Sequence, residues 1–226
     1  MFERVISFVG DSNFERIKNK TILIVGLGGV GGYALEALAR TGINNLILID
    51  FDKIESSNLN RQIITNQENI GCDKVSEAKK RVLVINPNCN VITYNTFLDK
   101  DSMHILNNHR IDYIIDACDS VQAKKVLIDY ALDNNIKIIS SMGTAKKIDP
   151  TKLEIIDIRK TSYDPLAKIL RKYINDKKTN KKIMVVSSTE KPIESNLLAS
   201  LIFVPAATGI LLAKYVINDI ISNLDE

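Results

Sequence analysis

Short apolar runs alternate with amphipathic stretches along the first 145 residues. TILIV at 21–25 is a β-branched run that leads into a glycine cluster. Residues 30–41 then carry apolar positions at helical spacing, and Gly42 ends them. NLILID at 45–50 predicts the next strand, and a polar loop follows it. From Asp73 onward Val75, Ala78, Val82 and Leu83 share one helical face, which Pro87 closes. NVITYN at 90–95 and DYIIDA at 112–117 predict two further strands. Ser120 is placed to cap a helix with Ala123, Val126, Leu127, Tyr130 and Ala131 facing inward, and IKIIS at 136–140 is the strand after it. Strands separated by helices pair in parallel through right-handed crossovers, so the expected fold class is α/β, a doubly wound, Rossmann-like, mostly parallel sheet. Ligands of such sheets sit at the carboxyl ends of the strands.

The pattern changes beyond residue 145. KLEIIDI at 152–158 predicts a strand with no helix before it. Asp164-Pro165 is a cap and first-turn pair that opens a helix carrying Leu166, Ile169, Leu170, Tyr173 and Ile174 inward. A lysine-rich loop at 175–182 precedes IMVVS, a strand at 183–187. Residues 197–213, LLASLIFVPAATGILLA, carry no charge and are at the short limit of a membrane span. The expectation is a buried strand (SLIFV), a proline turn and a buried helix rather than a transmembrane span, with membrane association of this stretch left open as the alternative. The whole chain is expected to be one domain. Residues 1–145 would form its nucleotide-binding core, 146–200 a basic insertion-like segment, and 201–226 a C-terminal strand and helix.

Composition narrows the classes. Of 226 residues 45% are apolar and 25% charged, which excludes a disordered or collagen-like chain. Cys72, Cys89 and Cys118 are an odd, widely spaced set without a Cys-x-x-Cys pair. Neither a disulfide framework nor a structural zinc site is expected, and the cysteines suit a reducing, cytoplasmic compartment. The N-terminus, MFERVISFVGDSNFERIK, has no apolar signal-peptide core. Net charge is +3, yet residues 146–182 hold 12 Lys/Arg against 5 Asp/Glu. That concentration suits either a phosphate-rich partner or a solvated loop.

The candidate chemistry starts at GLGGVGG. Gly26, Gly28 and Gly31 have the G-x-G-x-x-G spacing directly after a strand, with Gly29 in the same loop. Such a loop turns tightly, presents backbone N–H groups to phosphate and lets the helix pack closely on the strand. Asp50 ends the second strand, where an acid can bind the ribose hydroxyls of NAD or of ATP. The next loop, DFDKIESSNLNRQ, discriminates. Asn58, Arg61 and the following Lys74 suit three phosphates and the charge that develops on a pyrophosphate leaving group, whereas a nicotinamide pocket has no use for clustered cations. A metal would assist, and Asp119, in IIDACDS, lies at a third strand end where it can hold Mg²⁺; Asp116 reads as structural or ribose-proximal.

GLGGVGGYALEALARTGINNLILIDFDKIESSNLNRQ closely resembles the adenylation domain of ubiquitin-activating-like enzymes, among them the activators of the sulfur carriers of molybdopterin and thiamine synthesis. FERVISFVG, SSMGTAKKIDPTKLEIIDIRKT, DPLAKILRKY, VVSSTEKP and SLIFVPAATG resemble, within that family, the bacterial branch that dehydrates threonylcarbamoyladenosine in tRNA to its cyclic form. The resemblance covers essentially the whole chain. It implies that Gly26, Gly28, Gly29, Gly31, Asp50 and Asp52 surround ATP, that Asn58, Arg61 and Lys74 hold its phosphates, and that Asp119 coordinates Mg²⁺. Arg4 matches an N-terminal arginine that reaches the γ-phosphate in the partner subunit, so a homodimer is implied. A cysteine-desulfurase or sulfur-acceptor partner follows by family analogy alone.

Departures from the wider family also inform. No Cys-x-x-Cys pairs and no cysteine beyond Cys118 are present, so the chain has no evident thiol to receive an acyl group. The expected function is ATP-dependent cyclisation of threonylcarbamoyladenosine through a carboxyl adenylate, with Lys146, Lys147, Lys177, Lys178, Lys181 and Lys182 gripping the tRNA. The alternatives are an activator of a small ubiquitin-like sulfur carrier, an NAD(P) oxidoreductase and a non-catalytic nucleotide-binding adaptor.

Overall fold

The computed structural model of the chain describes residues 1–194 and 199–222. Among them seven strands form one sheet: β1 (Thr21–Val25), β2 (Asn45–Asp50), β3 (Asn90–Asn95), β4 (Tyr113–Asp116), β5 (Lys137–Ser141), β6 (Leu153–Asp157) and β7 (Met184–Ser188). Their order is β3-β2-β1-β4-β5-β7-β6. All neighbours run parallel except β6, which is antiparallel to β7. The helices are α1 (Glu3–Val9), α2 (Asp11–Lys18), α3 (Gly31–Thr41), α4 (Lys74–Ile85), α5 (Val121–Asp133), α6 (Pro165–Asp176) and α7 (Phe203–Ser222).

The two-residue period of the strands divides the core. Ile22, Ile24, Leu46 and Leu48 pack with α3, α4 and α7 on one face, and Leu23, Val25, Ile47 and Ile49 pack with α5 and α6 on the other. The expected caps form: Ser120 Oγ accepts from Ala123 N–H, and Asp164 Oδ1 accepts from Ala167 N–H. Strand order reverses at β1, between β2 and β4, which opens a crevice at their carboxyl ends.

Two expectations need correcting, and the N-terminal residues add elements that sequence reading did not foresee. The strand expected at 200–204 is not formed by the described residues there; α7 already begins at Phe203 and takes in Pro205. Proline is accepted in a first helical turn because its missing N–H would have had no intrahelical partner. Residues 197–198 of the apolar stretch lie outside the described residues. The 146–200 segment is no appendage, since it supplies β6, α6 and β7 to the same sheet. The N-terminal residues, read only as lacking a signal peptide, form α1 and α2, which are broken at Gly10 (φ +83°) and anchored by buried Phe14 and Ile17.

Among the described residues α7 is the one helix long and apolar enough to cross a membrane by length and composition. Here it is a packing element: Val204, Gly209, Leu212, Ala213, Val216 and Ile220 are buried against the sheet and α3. A methyl group at Gly209 would lie 2.2 Å from the carbonyl oxygen of Val30. Gly209→Ala should therefore push α7 off α3 and destabilise the fold by about 1–3 kcal/mol, read as a lower urea midpoint at unchanged m-value.

Candidate active site

A cavity of about 850 Å³ occupies the crevice, at the large end of small-molecule sites (roughly 300–1,000 Å³). Gly26, Gly28 and Gly29 from the β1 turn, Asp50 and Asp52 from the β2 end, and Ala117 and Asp119 from the β4 end all line it. Asn58, Arg61 and Lys74 line it as well, so the loop and helix that follow β2 are brought to the same place.

The glycine turn is built by close contact. Gly26 has φ +88°, and a Cβ there would meet the Ala117 carbonyl at 2.7 Å. A Cβ on Gly31 would fall 1.8 Å from the Gly26 carbonyl oxygen, so the helix start can sit on the turn only without a side chain. At Gly28 the nearest atom is Gln62 Nε2 at 3.7 Å, which leaves the second glycine open toward the cavity. Gly31 itself stays behind the turn as a packing residue.

Asp50 braces that turn. Its Oδ2 accepts from Leu27 N–H at 2.6 Å and its Oδ1 from Asp52 N–H at 2.9 Å. Burial pushes its carboxyl above the ordinary carboxylate range, against the pull of nearby Lys74. Lys74, the first residue of α4, is buried and donates to Asp52 Oδ2 at 2.6 Å. Asn58 is buried in a reciprocal cap: its Oδ1 accepts from Glu55 N–H, and the Glu55 side chain accepts from Asn58 N–H. Arg61 Nη1 donates to Ser57 O and to Asn60 Oδ1, both at 2.8 Å, which orients the guanidinium along the cavity wall. Gln62, beside it in sequence, also lines the cavity, and its buried Oε1 has no hydrogen-bond partner among the described residues.

Asp119 and Asp116 take different roles. Asp119 is exposed in the turn before α5 and makes no hydrogen bond or ion pair among the described residues. No cluster of three or more metal-ligating side chains occurs among those residues. One free carboxylate facing a phosphate site fits Mg²⁺, which is usually held by one or two carboxylates plus substrate phosphates. Asp116 is fully buried and receives both its ion-pair contacts from Lys124 Nζ at 3.0 Å. Lys124 donates further to Ser141 O at 2.9 Å, so its ammonium is satisfied. Sequence reading missed Lys124, because a lysine among helical polar positions reads as solvent-facing. Cys118 donates to Asp116 Oδ1 at 3.0 Å, and burial holds its thiol well above the ordinary range, so it stays protonated.

Two ends of the cavity extend past the glycine turn and the Arg61 and Lys74 side chains. Beyond Asp50 stand Phe51, Phe97 and Leu98, with the two phenylalanine rings edge to face at 5.2 Å. On the β5 side are Met142, Gly143, Thr144 and Leu166, from the segment after β5 and the start of α6, while Ser200, whose carbonyl accepts from Asn60 Nδ2 at 3.0 Å, and Pro205 of α7, beside Gly29, join that side to the glycine turn. Nothing in local sequence pattern marks these as site residues, because they meet only through the sheet order.

Arg4 does not line this cavity; it is exposed on α1. The lysine expectations divide. Lys147 is buried, donating to Gly143 O at 2.7 Å with Asp164 Oδ2 at 3.4 Å, so it braces the cavity wall and is withdrawn from any RNA surface. Lys177 pairs with Asp129 at 2.9 Å, and Lys181 donates to Leu132 O and Asn135 Oδ1. Lys177, Lys178, Lys181 and Lys182 precede β7, at the amino end of a strand roughly 16 Å long, and none of them borders the cavity at its carboxyl end. Lys146 lies in the segment after β5, its N–H donating to Ala199 O.

The geometry has counterparts among known proteins. The ThiF family model matches residues 2–217. The chain is 34% identical over 243 residues to tRNA threonylcarbamoyladenosine dehydratase of Bacillus subtilis, spanning 99% of this chain and 96% of that one. Over 162 residues it is 40% identical to the Escherichia coli protein of the same name, covering 72% of this chain but 60% of that one. A crystal structure of Escherichia coli tRNA N6-threonylcarbamoyladenosine dehydratase in complex with ATP aligns with a TM-score of 0.92 at 32% identity, over 98% of this chain and 93% of that chain. By the extent of these matches the chain belongs to the ThiF family.

Proposed function

We propose that this protein is an ATP-dependent tRNA threonylcarbamoyladenosine dehydratase working in the cytoplasm. The observation that carries the reading is the convergence of Arg61, Lys74, Asn58 and Asp119 on the glycine turn in one cavity with room left beyond the phosphates. In this reading Asp50 holds the ribose, the Phe51–Phe97 end takes adenine, and the Met142–Ser200 end admits the modified nucleoside.

The chemistry proceeds in two displacements. The threonyl carboxylate attacks the α-phosphorus of ATP, forming the acyl–phosphate bond and breaking the bond to the β-phosphate oxygen, so pyrophosphate leaves. Arg61 and Lys74 offset the charge on that leaving group. Asp119 would hold Mg²⁺, which when bound neutralises phosphate charge. The neighbouring carbamoyl group then attacks the acyl carbon, closes the ring and expels AMP, for a net loss of water. Intramolecularity supplies much of the rate, with effective molarities on the order of 10⁵ M or more for well-oriented closures. No enzyme thiol is required, in keeping with a protonated Cys118 bonded to Asp116.

Arg4 acts in trans in this proposal: it is exposed outside its own cavity and would reach the γ-phosphate bound by the second subunit of a homodimer. The decisive experiment is nucleoside analysis of tRNA before and after incubation with the protein, ATP and Mg²⁺. Loss of threonylcarbamoyladenosine with gain of a product lighter by one water is expected. Unchanged tRNA, or pyrophosphate exchange that needs a ubiquitin-like sulfur carrier instead, would refute it. Asp119→Ala should lose turnover at low Mg²⁺ and regain part of it at high Mg²⁺; full activity at low Mg²⁺ would remove the metal assignment.

A further inference from the structure

An adenosine that enters a crevice between sheet ends and loops must leave its stack in the RNA, which exposes the face of the adjoining base. Tyr163 adjoins, through the next residue Asp164, the Gly143 side of the cavity. It is 56% exposed, although a free tyrosine ring is an apolar liability on a surface. Its φ of +53° is a conformation that bulky side chains rarely adopt. The next residue, Asp164, accepts from Gly143 N–H at 2.8 Å, and Gly143 and Leu166 line the nucleoside end of the cavity. Lys191 places its ammonium 5.2 Å from the Tyr163 ring centroid.

From this point α6 leads away over about 18 Å. Lys168 and Lys172, one turn apart, are exposed on its outer side, and Lys178 follows its end. None of the three side chains forms an ion pair among the described residues, unlike Lys147 and Lys177. The α6 face is thus a line of uncommitted cations that starts at the cavity mouth.

The geometry points to an RNA track: Tyr163, backed by Lys191, stacks on the base next to the modified adenosine, and Lys168, Lys172 and Lys178 follow the phosphates of the same arm. Stacking on an aromatic tolerates any base, so this contact would fix position without dictating sequence. The track rests on the tRNA reading above and adds to it the residues that seat the substrate.

The test uses the full chain with tRNA carrying threonylcarbamoyladenosine. Tyr163→Asn keeps a residue that tolerates the left-handed backbone and removes the ring. KM for tRNA should rise about tenfold or more, with kcat and ATP affinity held and Tm unchanged or raised. Tyr163→Phe should keep the wild-type KM. Lys168→Glu with Lys172→Glu should weaken tRNA binding and flatten its dependence on salt by about 1–2 in log–log slope. Wild-type KM in both Tyr163→Asn and the double lysine variant would overturn the track while leaving the dehydratase reading intact. A wild-type protein that turns over no modified tRNA would instead sink both.

Discussion

Arg61→Ala is expected to lower tRNA-dependent AMP release by about a thousandfold while the protein keeps its melting temperature. The size follows from the role. In the proposed role the guanidinium meets charge developing on the leaving phosphate, and removing one such group slows phosphoryl transfer by roughly 10³–10⁵ and one oxyanion donor by roughly 10²–10³. The fold is spared because Arg61 Nη1 caps Ser57 O and Asn60 Oδ1, groups close enough to solvent for water to replace it. Arg61→Lys should recover little, since a point charge does not reproduce the planar fork. Steady-state AMP release with saturating ATP and modified tRNA gives the number. A variant within about threefold of wild type would show that pyrophosphate departs without this side chain.

Lys124→Met is expected to be the most damaging single change to stability, about 3–5 kcal/mol, or a Tm lower by roughly 6–20 °C for a chain of this length. Both Lys124 and Asp116 have no exposed side-chain surface, and the lysine meets both Asp116 oxygens and the Ser141 carbonyl. Removing the cation leaves a buried carboxylate without a counter-charge and a backbone carbonyl without a donor. Adding Asp116→Asn should restore part of the loss, because the remaining polar group is then uncharged. Thermal melts of the single and double variants measure this directly. If the double variant were no more stable than the single, the uncompensated charge would not be the cause. The pair also ties β4 to α5 and β5, so the turn carrying Cys118 and Asp119 should loosen in the single variant, with weaker ATP binding as a second readout.

Much of the site was legible because its parts are local in the chain. GLGGVGG lies between a β-branched run and an amphipathic run, and Gly31 is selected by the Gly26 carbonyl only five residues back, although Gly26 also answers to Ala117 at the end of β4. Asp50, Asn58, Arg61 and Lys74 lie within one loop and the helix start after it, so a reading of that stretch alone collects them. The far end of the cavity was not legible. Gly143, Leu166 and Ser200 come from three separate connections, and their small or apolar side chains carry no chemical signature. The strand expected from SLIFV shows the limit of an apolar run as a signal: the same residues suit a buried strand or the entry to a helix, and here Phe203 and Val204 open α7 while residues 200–202 lie before it.

Periodicity and glycine spacing determined the strand–helix alternation, the glycine turn and the cavity-lining residues beside it, because backbone sterics and amphipathic facing are largely short-range properties of neighbouring residues. The fate of each charge was decided only by the folded chain. Lys124 and Lys147 are alike in sequence to Lys168 and Lys172, yet the first two are buried against Asp116 and Asp164 and the second two face solvent. A lysine can leave water only where an acid and backbone carbonyls are already positioned to replace its hydration, and that positioning comes from strand order, which places β5 and the start of α6 side by side.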